Sequence, residues 1–135
     1  MPISKLNSYQ SNSAVMQEIG RLREITFRQV GEGTGKRRDL DHYDRDYRHL
    51  ILWDEQELEI AGAYRIGEVA RIMNAGRDIY TSELFQFTAA MQQYFPASIE
   101  LGRSFVSPKY WGKRSLDYLW YGIGAYLKRY PEVRY

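Results

Sequence analysis

The stretch of residues 98–127 constrains the fold most, because a strand, a basic turn and a long helix follow one another there. SIELGRSFV has the apolar content of a buried strand, yet it carries Glu100 and Arg103. Charges inside a strand are costly unless they are paired or used. The chain then enters a loop with the sequence GKRS and continues as an amphipathic helix. This order predicts an α/β (α+β) domain with a candidate site at the strand-to-helix junction.

A helix near the start of the chain is predicted by apolar residues at helical spacing. Its apolar positions are Val15, Ile19, Leu22, Thr26 and Val30. Asn12 or Ser13 can cap its first turn, and Gly31 can end it. The polar residues 1–12 that precede it are expected to be loose.

The middle of the chain reads as a loop, a hairpin and small helices. The glycine-rich, highly charged segment GEGTGKRRDLDHYDRDYRHL predicts a flexible loop. Residues 48–54 and 60–67 predict the two strands of a hairpin, and a short helix that ends at Gly76 follows. An extended piece and a short helix near residues 88–94 lead to the strand 98–106, which we expect to be central. We treat 1–135 as one domain.

The last helix is predicted from a single apolar stripe, and Pro131 marks its end. The stripe consists of Leu116, Leu119, Trp120, Ile123 and Leu127.

Composition excludes several classes of protein. The 135 residues contain no cysteine and only two histidines, which excludes disulfides, thiolate catalysis and histidine-rich metal sites, and we expect no metal. The net charge of +2 gives no argument for nucleic acid. The start of the chain lacks the apolar run of a signal peptide, and no window is apolar enough for a membrane span. These features are compatible with a cytoplasmic location.

The turn between strand and helix is the first candidate site. Backbone N–H groups at a helix start favour an anion, and Gly112 would let the backbone approach a phosphate. Lys113 and Arg114 add positive charge. The alternative is a loop with ordinary surface cations, and the turn is not a Walker A loop because the upstream glycine is absent.

Charged residues on the predicted strands form the second candidate. Glu100 and Arg103 would share one face only if a bulge intervened, and Gly102 is a natural place for one. Otherwise one of the two faces solvent. Arg65 lies on the hairpin with Ala61 and Ala63 as small same-face neighbours, and its alternative is a solvent-facing arginine on an edge.

The charged loop carries a third candidate, the acidic trio Asp41, Asp44 and Asp46. The interpretation favoured by the residues alone is a solvated loop with local pairs to Arg45 and Arg48.

Several segments, in order, resemble the N-acyltransferase branch of the GNAT superfamily. They are LREITFRQVGEGTGKRRDLDHYDRDYRHLILWD, IAGAYRIG, YTSELFQF and IELGRSFVSPKYW. The chain is similar to bacterial ornithine-lipid-type N-acyltransferases, some of which carry the label hemolysin, and more distantly to acyl-homoserine lactone synthases. The resemblance covers roughly residues 18–130.

The resemblance implies a mixed, mostly antiparallel sheet flanked by helices, with a splayed strand pair that holds the donor's pantetheine arm. It implies a long-chain acyl donor on acyl carrier protein, with no cofactor bound in addition, and an amino group as acceptor, such as that of ornithine or a lysine-like amino acid. The product would belong to lipid biosynthesis. The strands and helix that the family has after the position of Tyr135 are missing, so we expect a truncated domain.

The resemblance also assigns roles to particular positions. Glu100 would be the base, with Arg103 and Arg65 binding an acceptor carboxylate or bracing the acidic loop. The amides near residues 105–107 would hold the developing oxyanion. Positions that match substrate-binding residues of the homoserine-lactone enzymes are Arg23, Phe27, Asp41 and Asp44. Positions expected to receive the phosphopantetheine are Ser107, Lys109, Gly112, Lys113, Arg114 and Ser115.

One departure argues against a homoserine-lactone product, since glycines replace the tryptophan of the early loop. Expected partners are an acyl carrier protein, an amino-acid acceptor, the periphery of the inner membrane and a second copy of the chain, but no nucleic acid. Two alternatives stay open. One is a non-catalytic module that docks a carrier protein or a membrane through Tyr110, Trp111 and the basic turn. The other is an acetyl-CoA-dependent acetyltransferase.

Overall fold

The sheet is a four-stranded antiparallel meander in the order β1-β2-β3-β4. The computed structural model describes residues 3–8 and 13–135, with side chains from residue 13 onward. The strands are β1 (Ile3–Ser8), β2 (Arg48–Asp54), β3 (Glu59–Glu68) and β4 (Ile99–Val106). The predicted hairpin is therefore confirmed as β2 and β3.

Within the described residues, four α-helices accompany the sheet. They are α1 (Ala14–Gln29), α2 (Val69–Asn74), α3 (Ala89–Gln92) and α4 (Ser115–Arg129). Single 3-10 turns lie at His42–Arg45, Tyr80–Glu83, Phe95–Ala97 and Pro108–Tyr110. Ser13 caps α1 by accepting from the Met16 N–H at 3.1 Å, and Gly31 follows the helix with φ of 80°, as the sequence predicted.

Each face of the sheet carries its own core. One apolar cluster joins α1 to Ile51, Ile60, Ala63 and Phe105. A second cluster on the opposite face includes residues of β2 and β3 together with Leu119 and Tyr126 of α4. A third, smaller cluster joins Tyr43 and Tyr47 to α2 and Ile79. The fold class predicted from the sequence, α/β with an antiparallel sheet and helices on both sides, is confirmed.

The edges of the predicted elements differ from the structure in two places. Residues 3–8 form β1, so the expectation of a loose start is wrong there, and residues 1–2 and 9–12 lie outside the described residues. β4 pairs only with β3 within the described chain, so it is an edge strand and not a central one.

The predicted helix stripes are rotated from the observed ones. α4 buries Ser115, Leu119, Gly122 and Tyr126, while Leu116, Trp120 and Leu127 are exposed. In α1, Val15 and Val30 are exposed and Met16 is buried with Ile19. Small and amphipathic residues therefore face the sheet where the sequence pattern favoured large apolar ones.

Candidate active site

A β-bulge in β4 determines which side chains share the site. Ala63 pairs with Phe105 and Arg65 with Gly102, so Arg103 and Ser104 together oppose one residue of β3. Arg103 adopts the left-handed conformation with φ of 49°. The extra residue brings Glu100 and Arg103 to the same face, because both contact the 3-10 turn Tyr80–Glu83. The bulge expected at Gly102 lies one residue further on.

Two hydrogen bonds hold the Glu100 carboxylate. The hydroxyl of Tyr47 donates to Oε1 at 2.5 Å, and the N–H of Thr81 donates to Oε2 at 3.0 Å. The Tyr47 oxygen also accepts from the N–H of Tyr80 at 3.0 Å. Both oxygens of Glu100 thus have fixed donors, and the buried side chain of Tyr47 fixes the orientation of the carboxylate.

Tyr47 is suited to be a permanent donor. Burial first, and then its bond to Glu100, raise the pKa of the Tyr47 phenol well above its ordinary value. Its ring lies against Gly67, where an added Cβ would come within 2.6 Å of the ring. The glycine on β3 therefore makes room for the tyrosine that holds Glu100.

The acidic loop is anchored beneath the sheet by two buried arginines. Nη1 of Arg23 donates to both oxygens of Asp44 at 3.0 and 3.1 Å. Nη1 of Arg65 donates to Asp41 at 2.7 Å and to Asp44 at 3.2 Å. Arg23 and Arg65 are each 1% exposed and Asp44 is fully buried. The interpretation of Asp41 and Asp44 as a solvated acidic loop is therefore wrong.

The spacing of Asp41 and Asp44 has a local cause. Asp41 caps the 3-10 turn His42–Arg45, and each aspartate side chain accepts the backbone N–H of the other. Burial alone would raise the pKa of Asp44, but Arg23, the Asp41 amide and Arg65 bring it below its ordinary value. Asp44 is thus a charged acceptor for Arg23 and Arg65, and Asp41 accepts from Arg65 beside it.

Arg65 is not an edge residue. β3 runs between β2 and β4, so the alternative of a solvent-facing arginine is wrong. Its small neighbours also divide between the faces, because a register shift between Leu52 and Trp53 puts Ala61 in the α4-side cluster and Ala63 in the α1-side cluster. Arg65 and Ala63 share the α1 side with the acidic loop.

Asp46 belongs to the surface and not to the buried cluster. It pairs with Arg77 at 2.7 Å, and Arg48 pairs with Glu68 at 2.9 Å. The predicted local pairing of the acidic loop with Arg48 is therefore wrong.

Arg103 is the accessible guanidinium of this region. Its side chain is 28% exposed and lies 3.5 Å from Asp39 and 3.9 Å from Asp41. Phe27 and Tyr80 present their rings to it at 5.9 and 5.6 Å. Its Nε finds no hydrogen-bond partner within the described chain. That Nε is itself buried and lies 3.5 Å from Asp39, so the exposed part of the guanidinium is the part of Arg103 open to a ligand, whereas Arg23 and Arg65 are closed off from solvent.

The glycine-rich loop after α1 is fixed by a single carboxylate. Glu24 accepts from the Thr34 hydroxyl at 2.6 Å, the Thr34 N–H at 3.0 Å and the Gly35 N–H at 2.8 Å. Arg28 donates to it at 2.9 Å. The bond from the Thr34 hydroxyl and the other three donors lower the pKa of Glu24 to about 2. The loop that the sequence predicted to be flexible is thus tied to α1.

A cavity of about 540 Å³ opens beside Glu100. Side chains of the connection between β3 and β4, most of them apolar, form most of its wall, together with the first residues of β4 and Tyr135. Glu100 is a charged group on this wall. A carboxylate at the edge of an apolar cavity is a recurring form of small-molecule site.

The turn before α4 contains a left-handed glycine next to a helix start, but most of its cations already have partners. Gly112 has φ of 76°, and the Ser115 hydroxyl, at the helix start, lies 3.5 Å from the Tyr110 carbonyl. Lys109 is paired with Glu57 and Glu59, and Arg114 with Asp117 at 3.3 Å.

Two further residues of the turn are placed by their own contacts. Lys113 lies over the Tyr110 ring at 5.4 Å. Ser107 is buried and its N–H donates to the carbonyl of Ala61 at 2.8 Å. The expected use of the Ser107 amide for an oxyanion is therefore wrong.

The aromatic residues of this turn do not form a lipid-facing patch. Tyr110 is buried, and its hydroxyl donates to Asp54 and Glu59 at 2.9 and 2.8 Å. Trp111 is half exposed but its Nε1 donates to the carbonyl of Val106 at 2.7 Å. The expected use of Tyr110 at an interface is thus wrong.

Sequence reasoning missed Tyr47 and Asp39. Tyr47 immediately precedes β2 inside a motif of the family resemblance, but nothing in the motif shows which side chain it will meet. Asp39 is buried, and that burial raises its pKa despite the nearby Arg103. A lone aspartate in a charged loop gives no sequence sign of burial.

The fold and the site agree with a known class of protein. The family described as the acetyltransferase (GNAT) domain matches residues 22–121, which include Arg23, Arg65, Glu100, Arg103 and the turn before α4. The chain belongs to this family. No solved structure matches the chain significantly.

Curated relatives define the branch more closely. A glycine N(alpha)-acyltransferase of Phocaeicola vulgatus is 40% identical over 142 aligned positions, which cover 95% of this chain and 44% of the relative. A glycine N(alpha)-acyltransferase of Bacteroides thetaiotaomicron is 44% identical, with coverage of 95% and 42%. An L-ornithine N(alpha)-acyltransferase of Agrobacterium fabrum is 29% identical over 116 positions, with coverage of 81% and 39%. The chain spans less than half the length of these relatives, and the resemblance to N-acyltransferases is confirmed. Within the described residues no helix is both long and apolar enough to span a membrane.

Proposed function

We propose that the protein is an N-acyltransferase that moves a long-chain acyl group from a carrier-protein thioester to the amino group of an amino acid. The observation that carries the proposal is the Glu100 carboxylate, held between an accessible arginine and an apolar cavity. The names of the relatives suggest glycine or ornithine as the acceptor. The three groups that such a reaction needs are a base, a carboxylate receptor and an apolar site, and they adjoin one another here.

The chemistry assigned to Glu100 is proton removal. The acceptor arrives as an ammonium and must lose a proton before its nitrogen can attack the thioester carbon. Glu100 takes that proton directly or through a water molecule. The C–N bond forms, the C–S bond breaks, and the sulfur leaves as a thiolate that takes up a proton.

Arg103 is assigned to the acceptor carboxylate. Its side chain is 28% exposed and projects from the same strand face as Glu100. A guanidinium suits a carboxylate because its donors match both oxygens. The acidic loop beneath the sheet is then held by the ion pairs of Arg23 and Arg65 with Asp41 and Asp44. Of the two roles expected for Arg65, this is bracing of the acidic loop and not binding of the acceptor carboxylate.

The oxyanion requires backbone donors near the bulge. The Ser107 amide already donates to Ala61 of β3, and alternation along the strand directs the Phe105 amide to the same side, so Val106 remains from the expected set. A bulge also leaves an amide outside the ladder, so the Arg103–Ser104 step is a further position for this role.

The donor is assigned to the turn at residues 112–115. No side chain caps the backbone amides at the start of α4, amides in this position favour a phosphate, and Lys113 adds charge. A carrier protein with an acidic surface suits this basic turn. A lipid product, a position at the periphery of the inner membrane and a second copy of the chain complete the proposal.

Replacement of Glu100 tests this function. In the E100Q variant, turnover of an acyl carrier protein thioester with glycine or ornithine should fall by about 10²–10⁴-fold, because the amine loses its base. E68Q is the matched control, since Glu68 also accepts a tyrosine hydroxyl, from Tyr126 at 2.7 Å, but on the other face of the sheet. Unchanged turnover in E100Q would remove Glu100 from the mechanism.

The same assay separates the remaining alternatives. Transfer from acetyl-CoA alone would indicate a short-chain acetyltransferase. Binding of carrier protein with no transfer from any donor would indicate a docking module. Mass spectrometry of the lipids from expressing cells identifies the acceptor and the acyl chain together.

A further inference from the structure

Asp39 is a buried carboxylate outside the set of residues that the proposed reaction uses. It is 3% exposed, and its Oδ2 accepts no hydrogen bond within the described residues. Burial raises the pKa of Asp39, so its charged form is held there at a cost in free energy. A buried carboxylate oxygen without a donor calls for an explanation, and the cation next to it supplies one.

The backbone of Asp39 is fixed from two sides. Its N–H donates to the Gly20 carbonyl of α1 at 2.9 Å, and its own carbonyl accepts from Nη1 of Arg23 at 3.3 Å. A Cβ added at Gly20 would lie 2.7 Å from Cγ of Leu40, so the glycine lets residues 38–40 pack directly on the helix. The carboxylate of Asp39 therefore projects from a rigid position beside α1.

The group that this carboxylate faces is the guanidinium of Arg103. Oδ2 of Asp39 lies 3.5 Å from Nε of Arg103, and that Nε makes no hydrogen bond within the described chain either. Arg103 occupies the left-handed region with φ of 49°, which a residue with a side chain adopts only where its surroundings hold it. Two unfavourable features, a buried carboxylate and a left-handed arginine, thus meet at one contact.

The other contacts of Arg103 leave part of its side chain open. The ring centroids of Phe27 and Tyr80 lie 5.9 and 5.6 Å from its Cζ, and Oδ2 of Asp41 lies 3.9 Å from its Nη2. The side chain remains 28% exposed in spite of these neighbours. Since Nε is buried against Asp39, the exposed part lies elsewhere on the side chain, where a ligand can reach it.

We infer that Asp39 is a positioning residue that holds Arg103 in the orientation in which it receives the carboxylate of the acceptor amino acid. The inference rests on the proposed function, because it takes Arg103 as the group that binds the acceptor. Asp39 itself contacts no substrate. Its effect is therefore confined to acceptors that carry a carboxylate, and the amides of the same amino acids do not depend on it.

Steady-state kinetics with paired acceptors tests this role. The acceptor is glycine or L-ornithine, each compared with its own carboxamide, and the donor is a dodecanoyl N-acetylcysteamine thioester. D39L removes the carboxylate in a side chain of similar size. It should raise KM for the amino acid by about tenfold, because a displaced guanidinium no longer matches both carboxylate oxygens. KM for the carboxamide and KM for the donor should stay near their wild-type values.

D39N and D46L are the matched variants. D39N keeps the shape of the side chain and one oxygen, so its KM for the amino acid should lie between those of the wild type and D39L. D46L makes the same change in a surface ion pair, that of Asp46 with Arg77 at 2.7 Å, and should leave KM for the acceptor unchanged. Equal losses with the amino acid and its carboxamide in D39L would indicate a structural role and overturn the inference, as would an unchanged KM for the amino acid.

A binding measurement separates the inference from the proposed function. In spectra of protein with isotope-labelled arginine, the Nε–H signal of Arg103 should shift on addition of glycine or L-ornithine. D39L should need about tenfold more of the amino acid for the same shift. The absence of any shift in the wild type would overturn the inference.

The two proposals can therefore fail independently. If the Arg103 signal behaves as expected but no donor is turned over, the role of Asp39 holds for carboxylate binding and the transferase proposal fails. If transfer depends on Glu100 while D39L keeps the wild-type preference for the amino acid over its carboxamide, the proposed function stands and the role of Asp39 is refuted.

Discussion

Tyr47 orients the carboxylate of Glu100, the proposed base, although Tyr47 itself contacts no substrate in the proposal. It links Glu100 to the backbone of Tyr80, and Thr81 holds the other carboxylate oxygen. A positioning residue of this kind can be separated from a structural one by comparing kcat with KM in variants that stay folded. Loss of the Tyr47 donor releases one oxygen of Glu100, so the carboxylate is no longer held in one orientation.

We therefore expect Y47F to lower kcat for amide formation while KM for the acyl donor stays near its wild-type value. It should also lower the free energy of unfolding by about 1–3 kcal/mol, because the Tyr80 N–H loses its acceptor. The control is Y64F, which removes an equally buried phenol bond, from Tyr64 to the Leu119 carbonyl at 3.0 Å. An equal loss of kcat in both variants would show that the effect is one of stability alone.

Glu24 provides a second prediction about a single residue, and it concerns the pH dependence of stability. Its folded pKa of about 2 is below the ordinary glutamate value of about 4.3. The group therefore contributes stability above pH of about 4.3, and this contribution is lost as the pH falls towards 2. The difference in unfolding free energy between wild type and E24Q should be largest at neutral pH and shrink through that window.

Urea unfolding at a series of pH values measures this difference. E18Q is the comparison, since Glu18 is exposed and pairs only with Arg21 in the adjacent turn of α1. If the E24Q difference stayed constant from neutral pH to pH of about 2, the bonds to Thr34 and Gly35 would not be the source of the shift.

At the scale of elements, the contact between β3 and β4 depends more on Gly62 than on Gly102. A Cβ added at Gly62 would lie 2.6 Å from the carbonyl oxygen of Phe105, which is backbone and cannot move aside. A Cβ at Gly102 would meet its nearest atom, Nε of Arg65, at 3.6 Å, an ordinary contact.

G62A should therefore lower the free energy of unfolding by about 1–3 kcal/mol. G102A should change it by less than about 1 kcal/mol, because alanine costs a strand little and lowers the entropy of the unfolded chain. Thermal or urea unfolding of the two variants makes the comparison. Equal losses would mean that the bulge, and not the close approach at Gly62, limits substitution.

Elements were predictable from the sequence where a local rule operates. Ser13, Gly31 and Gly76 mark helix ends through capping and left-handed conformations that depend only on neighbouring residues. The rotation of α4 was not predictable, because Ser115, Gly122 and Tyr126 are buried by the close approach of the sheet. Apolar periodicity ranks residues by hydrophobicity and takes no account of how near the partner surface lies.

At the scale of the molecule, the candidate site is a product of pairings between distant segments. Asp44 meets Arg23 and Arg65, and Tyr47 meets Glu100 across the whole insertion between β3 and β4. The charged residues were identifiable, since a family resemblance named them. Their partners were not, because an isolated sequence does not give the register of β4 or the bulge that turns Arg103 onto the face of Glu100.

The protein must also bind its acyl donor, and a substitution of Lys113 tests which surface contacts the donor's carrier protein. The proposed carrier protein would approach the basic turn, so the reversal K113E should raise KM for an acyl carrier protein thioester by about tenfold at low salt, with a smaller effect at high salt. KM for a dodecanoyl N-acetylcysteamine thioester should be unaffected, since that probe makes no contact with a carrier surface.

K128E is the matched reversal, because α4 places Lys128 about 20 Å from the turn, twice the screening length of about 10 Å. If K128E raised KM as much as K113E, steering would come from net charge and not from this turn; if neither did, the carrier would dock on another surface.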